Sequence, residues 1–209
     1  MQTRACIIFK GGISMEEPKI LALSGSPRAE GNSSLILDKF LEGAAVEGVN
    51  GEKVIINQLN FKPCQGCGAC NKDGICIIKD DMQKIHQMFE EFKGIVLAFP
   101  IHFGSMSAQT KMMIDRFQAF WAARYVLKEP RIKKEDAKKG FYTCVKGSNV
   151  KRFCKNAGEI VGVFFDILNI QEMGSLSYGE VRTSPGIVEN KEALQEVMAA
   201  GQKFARELL

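Results

Sequence analysis

Lys19-Ile20-Leu21-Ala22-Leu23-Ser24-Gly25-Ser26-Pro27-Arg28-Ala29-Glu30-Gly31-Asn32-Ser33-Ser34 begins as an apolar run and ends as a loop of hydroxyls and glycines. An uninterrupted apolar run closed by glycine reads as a strand, Lys19–Gly25, covered on both faces, as in a parallel sheet. Asn32 or Ser33 is expected to cap the helix that follows, because Leu35, Ile36, Leu37, Phe40, Leu41 and Ala44 recur at helical spacing. A hydroxyl-rich loop feeding a helix N-terminus suits an anion, since the helix start presents unpaired N–H groups and a partial positive charge. Arg28 adds a full charge. The loop lacks G-K-[ST] and G-x-G-x-x-G, so it is neither a P-loop nor a dinucleotide fingerprint; an ordinary capped turn is the alternative.

Outward from this stretch the same alternation continues. Strands are expected at Val54–Leu59, Gly94–Phe99 (ended by Pro100), Phe141–Val145 and Met173–Tyr178, the last weakened by Gly174. Helices are expected from Asp80 and Asp81 through Met82, Ile85, Phe89 and Phe92, from about Ser107 to Leu127, from Asn149 to Leu168 and from Lys191 to Leu208. Lys128–Lys139 reads as a polar, basic surface loop and Ser184-Pro185-Gly186 as a turn. Strand–helix alternation implies right-handed βαβ units and an α/β fold. Five strands and five helices fit a flavodoxin-like, doubly wound parallel sheet of order 2-1-3-4-5, with a cysteine-rich insertion after strand two. In such sheets ligands bind beyond the carboxyl ends of the strands. The loop after strand three, Pro100-Ile101-His102-Phe103-Gly104-Ser105-Met106-Ser107, then reaches the same crevice as the first loop. Phe103 and Gly104 could offer a flat ring an aromatic wall and a close backbone; core packing for Phe103 and solvent for His102 are the plain alternatives.

The insertion, residues 63–79, holds Cys64, Cys67, Cys70 and Cys76 at the spacing C-x2-C-x2-C-x5-C. A [4Fe–4S] cube needs four sulfur ligands, one at each iron corner. Short gaps let one loop wrap three corners, and the longer gap reaches the fourth. Gly66, Gly68 and Gly74 permit the positive φ angles of such a wrap, and Pro63 stiffens the approach. Zinc usually takes two separated C-x2-C pairs. Disulfides suit secreted chains. Inert, packed thiols are the remaining alternative. Cys6, Cys144 and Cys154 read as buried or incidental thiols.

Length and a 45% hydrophobic share suit one domain with a real core, residues 18–209. No apolar run approaches the roughly 18 residues of a membrane span. The balance of 28 basic against 24 acidic residues, +4, would be offset by a bound phosphate and a thiolate-held cluster, and no basic stripe with interleaved aromatics points to nucleic acid. Residues 1–17 form an extension without a signal-peptide pattern. Lys10-Gly11-Gly12-Ile13-Ser14-Met15 resembles a translated purine-rich ribosome-binding site, which makes Met15 the expected start.

S-G-S-P-R-x-x-G-N-S-S after strand one resembles the phosphate loop of the NADPH-dependent FMN reductase family. P-I-H-F-G-S-M-S-A-Q-T-K-M-M-I-D-R is similar to that family's P-x-Y-[WF]-x-S-M-S-x-x-x-K-x-x-x-D-R segment, with His102 in the place of the usual Tyr. The cysteine run resembles the iron–sulfur flavoprotein branch. The resemblance covers Lys19 to the C-terminus. It implies that Ser24, Ser26, Arg28, Asn32, Ser33 and Ser34 hold the FMN phosphate. Pro100, Ile101, His102, Phe103, Gly104 and Ser105 would line the ring, with Lys146, Gly147 and Ser148 at its other edge. His102 is the candidate catalytic residue, because an imidazole beside the ring can hold or release a proton. Lys111, Asp115 and Arg116 read as structural. The implied function is a cytoplasmic oxidoreductase with FMN and one [4Fe–4S] cluster, carrying electrons between ferredoxin or a similar carrier and a small-molecule, two-electron acceptor. Lys62, Lys72 and Lys79 could receive an acidic carrier. The alternatives are a cluster-free NAD(P)H-dependent FMN or quinone reductase, in which NAD(P)H is a transient substrate, and a non-catalytic flavin carrier or sensor. The resemblance also implies homodimers or homotetramers. Met112, Met113, Phe117, Phe120 and Trp121 exceed what one helix face buries, so some are expected at that contact.

Overall fold

The computed structural model describes residues 19–181 and 186–209. The extension 1–17 with its start-site expectation, Cys6, and Ser184-Pro185 of the expected turn lie outside the described residues.

Strand β1 (Lys19–Ser24) forms on the apolar run Ile20–Leu23, and its alternate residues enter two different cores. Leu21 and Leu23 face one layer; Ile20 and Ala22 face the other. Burial on both faces is why the run carries no polar interruption. Helix α1 (Asn32–Val46) follows, then β2 (Asn50–Ile55), α2 (Met82–Glu91), β3 (Gly94–His102) and β4 (Ser105–Met106). The chain continues through α3 (Ala108–Arg116), α4 (Gln118–Tyr125), β5 (Lys138–Val145), α5 (Lys151–Ile167), β6 (Ile170–Tyr178) and α6 (Lys191–Arg206).

The sheet has six strands, not the expected five. Its parallel path runs β2-β1-β3-β5-β6, and the additional strand is the two-residue β4, antiparallel on β3. Helices α1 and α6 cover one face. Residues of α2, α3 and α5 pack on the other with Phe117 and Phe120. Gly43 and Gly201 let α1 and α6 touch, since a Cβ on either would stand 2.1 or 2.0 Å from a carbonyl oxygen of the facing helix. Among the described residues no helix is long and apolar enough to cross a membrane.

Several boundaries move for physical reasons. Strand β2 starts at Asn50, four residues before the apolar run, and ends at Ile55, where a 3-10 turn takes over. It is an edge strand with an exposed start, so polarity hid it. Strand β3 runs through Pro100 instead of stopping before it. At Phe99 and Pro100 it pairs with β5 alone, so the missing proline N–H is not required on both sides. The long helix expected over 107–127 breaks at Phe117 into α3 and α4. The break buries Met113, Phe117 and Phe120 in this chain and leaves only Trp121 of the five large residues notably exposed, at 36%. The basic loop ends early: Lys138 begins β5, is buried, and donates from Nζ to the Glu90 carbonyl at 2.7 Å. Cys144 and Cys154, expected as thiols, form a disulfide between β5 and α5.

Candidate functional site

At the carboxyl ends of β1, β3 and β5 a cleft of about 410 Å³ opens. Ser26, Pro27, Arg28, Gly31, Asn32 and Ser33 line one side, and Pro100, Ile101, His102, Val145, Lys146, Gly147 and Val181 the other. The N-cap of α1 is Gly31, not Asn32 or Ser33, and no side chain caps the helix start. The Ser34 and Leu35 N–H groups turn to the Gly31 carbonyl at 2.9 and 3.1 Å, and the helix start faces the loop. Ser26 Oγ accepts from the Arg28 N–H at 3.1 Å, which curls the loop. Hydroxyls, one guanidinium and an uncapped helix start fit a phosphate; Pro100, Ile101 and Val145 fit a flat apolar ring.

The structure brings together only part of the expected set. Asn32 lines the cleft while its side-chain oxygen accepts from the Ile187 N–H at 3.0 Å. Ser34 is buried and accepts from Lys53 Nζ at 3.1 Å, which also pairs with Asp38. Ser24 is fully buried and its Oγ has no hydrogen-bond partner among the described residues. Phe103, Gly104, Ser105 and Ser148 do not line the cleft. Phe103 and Gly104 make the β3–β4 hairpin turn with φ of 50° and 81°, and the Phe103 ring is fully exposed instead of core-packed. Ser107 and Thr110 escaped the sequence reading. Ser107 Oγ donates to the Gly25 carbonyl at 2.5 Å and sits 2.8 Å from Thr110 Oγ1, so the start of α3 is locked to the first loop. Only the S-M-S-x-x-T spacing hinted at this.

A second cavity, about 490 Å³, is lined by Cys64, Cys67, Cys70 and Cys76 together with Arg116, Gln118, Ala119 and Trp121. All four cysteines are free thiols. Gly66, Gly68 and Gly74 take φ of 61°, 71° and 72°, as the wrap requires. The segment is pinned from beneath. Asp81 accepts from the Asn60 N–H at 2.6 Å, Asp80 from the Lys62 N–H at 3.1 Å, and Gln83 donates to the carbonyls of Cys76 and Ile78 at 2.9 Å. Arg116, 1% exposed, forks onto Asp80 at 2.6 and 3.0 Å, donates to the Lys62 carbonyl at 2.7 Å and reaches Cys76 Sγ at 3.4 Å. Burial works against the Asp80 charge, but Arg116 and two backbone N–H groups hold its carboxyl below the usual range. Burial pushes the Cys70 thiol up; its own backbone N–H opposes this, and the sulfurs of Cys76, Cys64 and Cys67 push the same way as burial. Lys111 and Asp115 pair on the surface of α3 at 2.6 Å.

Among the described residues no three His, Cys, Asp or Glu side chains stand close enough to share one metal ion. A single zinc ion would need that closeness. A cube binds one thiolate at each of four separate irons, so its ligands stand farther apart. Four soft thiols around one cavity fit that donor set.

Residues 18–130 match the family described as NADPH-dependent FMN reductase. An iron–sulfur flavoprotein of Methanocaldococcus jannaschii is 41% identical over 98 residues, 47% of this chain and 51% of the relative. An iron–sulfur flavoprotein of Methanosarcina thermophila is 36% identical over 110 residues, 53% of this chain and 58% of the relative. The chain thus matches only about half the length of these curated relatives. Among solved structures, an NAD(P)H:quinone oxidoreductase from Methanothermobacter marburgensis shares the fold, with a TM-score of 0.71 at 16% identity over 90% of this chain and 96% of the other.

Proposed function

The chain belongs to the NADPH-dependent FMN reductase family, and from that membership we propose that it is a flavin-dependent oxidoreductase with FMN in the β1–β3–β5 cleft and a [4Fe–4S] cluster on Cys64, Cys67, Cys70 and Cys76. It carries electrons between a one-electron carrier such as ferredoxin and a small two-electron acceptor, in the cytoplasm and as a homo-oligomer. The name shared by the two archaeal relatives supports the cluster. The observation that carries the reading is helix α3. Its first residue follows Ser107, which is bonded to the phosphate-loop carbonyl of Gly25, and its last, Arg116, holds Cys76. Nine residues at about 1.5 Å each make one rigid strut of about 14 Å between the two sites.

FMN supplies two-electron chemistry that can be divided into single steps, and the cluster takes one electron at a time. The chain's residues do the rest. Ser26, Ser33, Arg28 and the start of α1 hold the phosphate. Pro100, Ile101 and Gly147 flank the ring, and His102 holds or releases a proton at its edge. Phe103, exposed at positive φ beside the cleft, offers a wall for the ring or for a second reactant. Lys62, Lys72 and Lys79 lie in or next to the cysteine segment in sequence and attract an acidic carrier.

The description of the matched family, NADPH-dependent FMN reductase, favours a second reading, a cluster-free NAD(P)H-dependent reductase. Protein purified without oxygen separates the two. A broad brown absorbance under the flavin bands, with iron and sulfide, is expected and should vanish in Cys70→Ser while the protein stays yellow. A clean flavin spectrum without iron in the unaltered protein makes the second reading the better one.

A further inference from the structure

Among the cysteines of the described residues, only the Cys144–Cys154 disulfide belongs to neither site. It closes a ring of chain around the β5–α5 connection, and that connection carries Val145, Lys146 and Gly147 into the cleft wall. Cys144 is fully buried in β5, one residue before the cleft, on the opposite face from Val145. Cys154 is half-buried in the first turn of α5. Lys146, a cleft residue only 5% exposed, sends Nζ to within 3.6 Å of Cys154 Sγ. The same end of α5 is fastened under the β3–β4 hairpin: Asn156 Nδ2 donates to the Gly104 carbonyl at 3.0 Å, and the Phe153 ring lies against Gly104. The bond thus ties β5 to α5 just behind the cleft wall, where Lys146 lines the cleft and also reaches Cys154, while the four cysteines of the run are free.

We propose that Cys144 and Cys154 are a redox-active pair that exchanges two electrons with a flavin held in the cleft. This rests on the flavin reading of that cleft. In the reducing direction the disulfide takes two electrons and two protons from reduced flavin. The Sγ–Sγ bond breaks, each sulfur ends as a thiol, and the flavin is left oxidised. In the reverse direction the two thiols give up the same electrons and protons to oxidised flavin and the bond re-forms. The Lys146 ammonium stabilises negative charge on Cys154 Sγ, so that sulfur departs more readily before it takes its proton. The pair would let the chain store two electrons after the flavin has turned over.

The test follows the two thiols, not turnover. Full-length protein carrying one FMN per chain is held without oxygen, first oxidised and then reduced with NADPH, or with light and EDTA if NADPH does not bleach it. Each sample is quenched in acid with N-ethylmaleimide, and the peptides carrying Cys144 and Cys154 are weighed. Both are expected unlabelled with oxidised flavin, to gain one label each after reduction, and to lose it when excess oxidised FMN is returned. Cys154→Ser should leave Cys144 labelled in both states. Unchanged labels while the bound flavin bleaches overturn the proposal alone. Labels gained by flavin-free protein with NADPH overturn the flavin route. FMN that separates from the protein on gel filtration overturns both the cleft reading and the pair.

Discussion

Arg28 is the one charged side chain among the cleft residues of the first loop, and its backbone N–H is already committed to Ser26 Oγ. Its guanidinium is therefore expected to bear on a bound phosphate and not on the loop's own fold. Arg28→Ala should weaken FMN by about 1.5–3 kcal/mol, the range of a hydrogen bond to a charged group. Fluorescence titration of the flavin checks this, and iron content should be unchanged; an unaltered FMN affinity would remove Arg28 from the site. The place of Ser26, Arg28 and Ser33 in the cleft lining was legible because a polar loop between an apolar strand and a helix ends at the carboxyl edge of the sheet. The bond that Ser34 accepts from Lys53, a residue 19 positions away on the neighbouring strand, was not. No local pattern announces that pairing.

Helix α3 is where element-scale consequences concentrate. Its C-terminal Arg116 and the Asp80 carboxylate form a nearly solvent-free ion pair, with side chains 0% and 10% exposed. Removing one partner of such a pair strands the other, typically at about 3–5 kcal/mol. Arg116→Ala should lower stability by that amount in urea unfolding and reduce iron per chain, because Lys62, Ile78 and Cys76 lose their shared donor. Arg116→Lys keeps the charge but not the planar fork, and should recover only part of both. Full stability and iron in Arg116→Ala would show that the segment holds itself. The acids at 80 and 81 were read as favourable charges at a helix start; their larger role is to grip the cysteine segment, which the one-dimensional pattern of a helix N-terminus does not distinguish.

At the scale of the whole molecule, acid stability is the most direct readout of the core. His86 lies edge-on between the rings of Phe117 and Phe120, at 4.8 and 5.2 Å, and its Nε2 has no hydrogen-bond partner among the described residues. Burial, then the charges of Arg131 and Arg116, push its pKa down to about 3 from the ordinary 6.5. Between those values the unfolded chain binds a proton that the native state refuses. This group's contribution is complete above pH 6.5 and is lost as pH falls toward 3, at about 1.4 kcal/mol per pH unit. The lowered Asp80 carboxyl acts in the same direction, since its stabilisation is present above its unfolded value and lost in acid. In His86→Leu, urea unfolding at pH 4 to 6 should show a pH slope smaller by about one proton. An unchanged slope would mean that His86 is charged in the folded protein.

The one-dimensional pattern determined the layer order, the crossover connections and the cleft, because strands buried on both faces must be apolar throughout and ligand loops must follow their ends. It also determined the four-cysteine loop, since both the spacing and the left-handed glycines are local properties. Tertiary structure alone decided the edge strand at Asn50, the break at Phe117 and the sixth strand, where neighbours rather than propensity set the backbone. It also decided which residues meet. Ser107 and Gly25 are 82 positions apart, Arg116 and Cys76 40 apart. Cys144 and Cys154 are near in sequence but lie on different elements, and only the packing of α5 on β5 turns their sulfurs toward each other.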